Sequence, residues 1–284
     1  MKQTIGRFAP TPSGGLHLGS LCAAVASFLN SRAQGGLWKV RIDDIDKARE
    51  VPGSTKSILH LLDALGMEWD GPVVYQSQQI GNYASVIDSL IERQLLYPCI
   101  CTRKKIGGKP YPGNCSRLKG LSFANNQLRL RLEESRISFN DAYLGRIEGV
   151  LKKESGDFIV KRADGVFSYD ISTVIDDELM GITEIIRGAD LARLTLRHIY
   201  LQNLLSFKDN NHGHIPLVCD ATGKKLSKQA GATVITVDSA QKAMVEALLH
   251  LGLYLKPEMM REPTSVLLTW ALTQWQIVNS KRQN

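Results

Sequence analysis

Ile5-Gly6-Arg7-Phe8-Ala9-Pro10-Thr11-Pro12-Ser13-Gly14-Gly15-Leu16-His17-Leu18-Gly19-Ser20 is a short apolar run, a Pro/Gly loop and the start of a helix. Ile5 to Ala9 reads as a buried strand, and Leu21, Val25, Phe28 and Leu29 form one face of a helix from about Ser20 to Gln34. Trp38 to Ile42 reads as the next strand. A strand, a glycine loop, a helix and a strand in close succession predict a parallel, doubly wound α/β sheet. In such a sheet the loop after the first strand sits where ligands bind. Glycines let backbone approach a ligand there, and unpaired amides at a helix start favour phosphate. His17 beside those amides is placed to donate to a phosphoryl group.

Outward from this unit, Ser54 or Thr55 is expected to cap a helix with the stripe Ile58, Leu59, Leu62 and Leu65, and Tyr83 to Leu95 gives another. Mixed helical and extended segments run from Asp157 to Arg187. Residues 191–206 read as a helix, Ile215 to Val218 as a strand, and 240–251 and 264–275 as helices. The stretch 97–132 breaks the rhythm with Cys, Pro, Gly and basic residues, and reads as an insertion. No repeat or low-complexity tract interrupts the pattern.

The chain has 284 residues, of which 43% are hydrophobic and 22% charged, so disorder and a disulfide-dense secreted scaffold are both disfavoured. The apolar segment Leu21 to Leu29 is too short to span a bilayer core of roughly 30 Å, and Met1 to Arg7 has no signal-peptide core. A cytoplasmic protein is expected. The net charge of +7 is localised: nine Lys and Arg and no acid lie between Glu92 and Glu133, whereas the rest of the chain carries 26 basic and 28 acidic residues. Such a segment suits a polyanion, or is a solvated basic loop.

A second loop, Gly223-Lys224-Lys225-Leu226-Ser227-Lys228-Gln229, follows the strand expected at Ile215 to Val218. Its lysines can neutralise the β- and γ-phosphates of ATP. Of the five cysteines, Cys99, Cys101 and Cys115 lie close together, while Cys22 and Cys219 are expected in the core. The cluster reads either as a metal site or as reduced, metal-free thiols. Zinc normally takes four ligands, no His, Asp or Glu lies between 99 and 115, and Tyr111 is a nearby oxygen.

The chain resembles the class I aminoacyl-tRNA synthetases. His17-Leu18-Gly19-Ser20 is similar to their HIGH signature and Lys225-Leu226-Ser227-Lys228-Gln229 to KMSKS. Gly6 to Gly14, Arg41-Ile42-Asp43-Asp44-Ile45-Asp46 and Ile186-Arg187-Gly188-Ala189-Asp190 narrow the resemblance to the glutamyl-specific group, and within it to shortened paralogues lacking the anticodon-binding region. Only 55 residues follow Gln229, too few for such a region.

The resemblance implies an α/β, Rossmann-like doubly wound parallel sheet with a zinc-containing acceptor-binding insertion and a short helical C-terminal region. The expected divisions are 1–96 and 157–232 for the two halves of the core, 97–156 for the insertion and 233–284 for the helices. It implies a ligase that activates L-glutamate with Mg-ATP, as a monomer, and passes it to the cyclopentenediol of queuosine in tRNA(Asp). A truncated glutamyl enzyme charging the tRNA 3′ end, a catalytically silent tRNA-binding paralogue and a small-molecule nucleotidyltransferase are the alternatives.

By the same resemblance His17 and Lys228 are catalytic. Arg7, Phe8, Ala9, Pro10, Thr11, Asp43, Tyr169 and Arg187 bind glutamate. Gly14, His17, Gly19, Lys225, Ser227 and Lys228 bind ATP, and Cys99, Cys101, Tyr111 and Cys115 hold zinc. Asp43 stands where the family usually has Glu, one methylene longer, and would hold the substrate ammonium. Asp170, where relatives often carry Asn, adds a negative charge beside the site.

Overall fold

The computed structural model describes residues 3–219, 223 and 233–282, the last six by backbone alone. In chain order, β1 (Ile5–Phe8), α1 (Leu18–Ala33), β2 (Leu37–Ile42), α2 (Ser54–Ala64), β3 (Val74–Tyr75) and α3 (Ile80–Glu92) form the first unit. Next come β4 (Leu96–Cys99), α4 (Arg103–Ile106), β5 (Gln127–Leu130), β6 (Arg136–Asp141), β7 (Gly145–Val150), α5 (Leu151–Glu154) and β8 (Ile159–Lys161). The chain returns through α6 (Tyr169–Leu179), β9 (Glu184–Gly188), α7 (Thr195–Leu205) and β10 (Asn211–Ile215), and ends in α8 (Ala240–His250) and α9 (Thr264–Arg282).

The main sheet has seven strands in the order β3-β2-β1-β9-β10-β6-β7, all parallel except β7, which pairs antiparallel with β6. From β1 the chain winds outward through β2 and β3, and the later strands β9 and β10 fill the other side. The order therefore reverses between β1 and β9, which meet at Gly6 and Glu184. That reversal opens a crevice at the strands' carboxyl ends, and the β1–α1 loop enters it. The hairpin 136–150 lies within the stretch expected as an insertion, yet it is paired into the main sheet.

α1 is buried nearly all round because it packs on the sheet on one side and on α8 and α9 on the other. Its residues Ala24 and Ala26 allow this close approach, and Gly6 allows β1 to approach it, since a Cβ there would lie 2.0 Å from Ser31 Oγ. Trp38 sits beneath α1, fully buried, with its Nε1–H donated to Ser27 Oγ at 2.9 Å. Truncating such a side chain to Ala typically costs about 3–5 kcal/mol.

A smaller antiparallel sheet, β4-β5-β8, carries the cysteine cluster at one end. Its other residues, among them Leu128, Leu130 and Val160, share a core with α3, α6 and α7. No helix among the described residues is long and apolar enough to cross a membrane.

Three local readings are corrected. The strand expected at Ile215 to Val218 lies at Asn211–Ile215, and Cys219 is exposed rather than buried in the core. The α2 helix begins at Ser54 itself, after Gly53 in the left-handed region, with no side-chain cap.

Candidate active site

A cavity of about 670 Å³ lies in the crevice between β1 and β9, lined by Arg7 to Thr11, His17, Gly19, Tyr169, Arg187 and Asp190 among others. The structure thus brings together the residues expected to bind glutamate, except Asp43, which faces a second cavity of about 590 Å³. The two cavities share Thr11, Arg49 and Tyr169 as common walls.

His17 caps α1. Its Nδ1 accepts from the backbone amides of Gly19 at 3.1 Å and Ser20 at 3.4 Å, while Ser20 Oγ accepts from the His17 amide at 2.9 Å. The amides expected to stand ready for phosphate are therefore satisfied by the imidazole. An accepting Nδ1 puts the ring proton on Nε2, so His17 is a donor through that nitrogen. The loop before it is stitched down: the Asp43 amide donates to Pro10 O at 3.0 Å, the Val51 amide to Pro12 O at 2.9 Å, and the Gly14 amide to Ser54 Oγ at 2.9 Å. Gly14 has φ +114. A Cβ on Gly15 would lie 2.4 Å from Val234 Cγ1, and the Ile235 amide donates to Leu16 O at 2.8 Å. Lys225, Ser227 and Lys228 lie outside the described residues.

Two arginines beside the cavity share one carboxylate of α6. Arg7 is held by Asp177, whose Oδ1 and Oδ2 accept from Nε at 3.1 Å and Nη2 at 3.2 Å. Arg41, fully buried, donates to Asp43 Oδ1 at 2.7 Å and to Asp177 Oδ1 at 2.8 Å. Burial raises the Asp177 carboxyl, but the charges of Arg7 and Arg41 outweigh it and hold it at about 2. At Asp43 burial wins and pushes the carboxyl up despite Arg41 and Arg7. A nearby ammonium would relieve that cost. Asp44 is also buried, accepting from the Ser77 amide at 2.8 Å and Ser77 Oγ at 2.6 Å. The acidic run is therefore no solvated turn.

Arg187, by contrast, meets no carboxylate within 4.0 Å among the described residues. Its Nη1 donates to the Tyr169 hydroxyl at 3.2 Å and its Nη2 to Thr195 Oγ1 at 2.8 Å, and its Nε faces His214 Nε2 at 3.1 Å. This is an unneutralised guanidinium on the wall of the cavity. Its uncompensated charge suits a carboxylate better than it suits an amide. Asp170 lies 3.5 Å from Arg197 Nη1, which answers its extra charge.

At the end of the small sheet the Sγ atoms of Cys99, Cys101 and Cys115 all lie within 4.8 Å of one another. The Tyr111 hydroxyl is 3.3 Å from Cys99 Sγ, 3.5 Å from Cys101 Sγ, and accepts the Cys115 amide at 3.0 Å. Burial raises the Cys99 thiol, but contacts with Tyr111, the Cys101 amide and Arg129 bring it down to about 7. Three converging sulfurs, one with thiolate character, and a fourth oxygen donor fit a tetrahedral thiophilic ion. Gly156 permits this arrangement: a Cβ there would lie 2.1 Å from Tyr111 O.

Sequence reasoning did not single out Arg41, Asp141, Asp177, Thr195, His198 or His214. The spacing of His212 and His214 puts both on one face of a strand, and Asp176-Asp177 directly follows the apolar Val174-Ile175 pair on a helix; both are signals of buried polar function.

The reversed strand order, the histidine-capped loop and the cavity between them define a class I synthetase catalytic domain. The family model described as tRNA synthetases class I (E and Q), catalytic domain, matches residues 3–109 and 119–260, and the chain belongs to that family. Within it, the chain is similar to the Glutamyl-Q tRNA(Asp) synthetase of Dechloromonas aromatica (strain RCB), with 41% identity over 98% of this chain and 96% of the relative. The protein of the same name from Thiobacillus denitrificans is 43% identical over 97% of this chain and 94% of its own. Among solved structures, a glutamate tRNA ligase from Elizabethkingia meningosepticum, in complex with its amino acid, superposes with a TM-score of 0.71 at 26% identity. That match covers 81% of this chain but only 53% of the ligase.

Proposed function

We propose that the protein activates L-glutamate with ATP and transfers it to the cyclopentenediol of queuosine in tRNA(Asp). One observation carries this reading: the chain aligns with 94–96% of the length of relatives bearing that name, but with about half of a glutamate tRNA ligase. The charge distribution of the cavity agrees with it.

In the first step a glutamate carboxylate oxygen attacks the α-phosphorus of ATP, pyrophosphate leaves with the broken phosphoanhydride electrons, and glutamyl-adenylate forms. In the second a ring hydroxyl of queuosine attacks the acyl carbon, and AMP leaves. The charge on Arg187 takes one substrate carboxylate, aided by Tyr169, and the Arg7 to Thr11 segment shapes the cavity wall. Asp43 holds the ammonium. His17 Nε2–H donates to phosphate oxygens, while Gly14 and Gly19 leave room for the nucleotide. Lys225, Ser227 and Lys228 supply further contacts to Mg-ATP, with Lys228 taking charge as pyrophosphate departs. The chemistry falls mainly on positioning and electrostatics.

The second cavity, open beside Tyr169, suits approach of the accepting nucleoside, and the nine-cation segment beyond it suits the tRNA backbone. Zinc is the ion we assign to Cys99, Cys101, Cys115 and Tyr111, where it would act as a structural cross-link of the insertion. The protein is proposed to work as a cytoplasmic monomer.

Glutamate-dependent ATP–pyrophosphate exchange without tRNA tests the activation step. Exchange with glutamate and none with glutamine is expected. Absence of exchange with both would contradict the activation step.

A further inference from the structure

We propose that Asp141 and His214 are positioning residues for the glutamate site: they fix the Arg187 guanidinium in the orientation it presents to the cavity. This rests on the reading that Arg187 takes a substrate carboxylate.

The three side chains lie in a row across neighbouring strands. Asp141 ends β6, His214 lies in β10 and Arg187 in β9, and His214 is the direct cross-strand partner of Arg187. Both side chains of the Asp141–His214 pair are fully buried. A guanidinium has donors only. His214 Nε2, 3.1 Å from Arg187 Nε, must therefore be bare, and the imidazole proton sits on Nδ1. That proton is donated to Asp141 Oδ2 at 2.5 Å. The other carboxylate oxygen, Oδ1, accepts three backbone amides, those of Tyr143, Leu144 and His214, each at 3.0 Å. Burial raises the Asp141 carboxyl, but these bonds outweigh it and hold it at about 2, so it is a fixed acceptor. Thr195 Oγ1 completes the cradle, accepting from Arg187 Nη2 at 2.8 Å, and its own proton has two acceptors in reach, the bare His214 Nε2 at 3.1 Å and Leu191 O at 3.2 Å.

The arrangement explains how Arg187 is rigid and still charged. A carboxylate in direct contact would occupy the guanidinium, as Asp177 does with Arg7. Interposing a neutral ring transmits the orientation of the carboxylate but leaves the cation unmatched at contact distance. His198 fits the same logic from α7: its Nδ1 lies 3.4 Å from Arg187 Nη1, with burial and the Arg187 charge disfavouring its protonated form.

The substitution Asp141→Asn tests this sharply. The three backbone donors keep the amide oxygen at the Oδ1 position, so its NH2 group faces His214 Nδ1. The ring must then carry its proton on Nε2, opposed to the Arg187 N–H. The KM for glutamate in pyrophosphate exchange is expected to rise at least about tenfold, as for loss of a hydrogen bond to a charged group, with the KM for ATP changed less than about twofold. Nitrogen-15 NMR of the histidines should report Nδ1 protonation of His214 in the wild type and the opposite tautomer in the variant. His214→Gln, whose amide can donate to Asp141 and accept from Arg187, should retain glutamate affinity within about threefold.

A folded D141N protein with the switched tautomer and unchanged glutamate KM overturns the proposal. So does wild-type His214 protonated on Nε2, a measurement that needs no variant should D141N fail to fold. Arg187→Ala separates the two levels: unchanged glutamate affinity there refutes the reading that Arg187 binds substrate, whereas weakened affinity there with an unaffected D141N refutes only the positioning role.

Discussion

Asp177 accepts from Arg7 through both carboxylate oxygens, at 3.1 and 3.2 Å, and from Arg41 Nη1 at 2.8 Å through one of them. One buried anion on α6 thus ties β1 to β2 beneath the cavity. Removing one partner of a buried ion pair leaves an uncompensated charge, so Asp177→Asn is expected to cost about 3–5 kcal/mol in chemical unfolding at neutral pH. The pH dependence has a definite sign. The folded carboxyl titrates at about 2 against an ordinary value of 3.8, so its contribution is complete above that ordinary value and fades as pH falls toward 2. The gap in stability between wild type and D177N should therefore narrow over that acid range. A gap that stays constant there would separate Asp177 from acid unfolding.

His17 has two jobs that substitution can part. Asn is also a good helix N-cap, so His17→Asn is expected to change stability by less than about 1 kcal/mol. It removes the Nε2 donor, and the exchange rate is expected to fall about a hundredfold. His17→Ala should lose the same rate and about 1 kcal/mol of stability as well. A fully active H17N protein would confine the imidazole to capping.

Gly15 leaves room for Val234, on the chain just after the lysine loop. Gly15→Ala would put a methyl 2.4 Å from Val234 Cγ1 and displace the segment that Ile235 anchors to Leu16. A shift of that size is expected to slow pyrophosphate exchange about tenfold or more. Val234→Ala should restore most of it in the double variant, a coupling measurable as a double-mutant cycle. Additive effects would show that the two residues do not communicate.

The cysteine cluster should carry about one zinc ion per chain in elemental analysis of purified protein. Cys115→Ser or strong chelation is expected to release it and lower the melting temperature by roughly 5–10 °C. Hydrogen exchange should rise in 99–117 before the main sheet. Protein that is fully folded and metal-free would make the cluster a set of reduced thiols.

The parts legible in sequence were those whose neighbours in space are neighbours in the chain. Ile5 to Ile42 shows its strand, loop, helix and strand because each element follows directly, and Cys99, Cys101 and Cys115 converge within one short stretch of chain around α4. β10 was misplaced because Asn211, His212, Gly213 and His214 lack the apolar signature of a strand. His212, Gly213 and His214 are buried all the same, and His214 is held by Asp141 of β6, 73 residues earlier. Asp177 was missed for the same reason, since its partners lie 136 and 170 residues away. Charge networks built from such distant pairs leave no local periodicity to read.

The most direct measurement is the position of labelled glutamate on tRNA(Asp) after nuclease digestion, with tRNA from cells containing and lacking queuosine. The expected result is label in the anticodon-loop fragment of the queuosine-bearing tRNA and none in the other. Label on the terminal adenosine, or equal labelling of both tRNAs, would contradict the account.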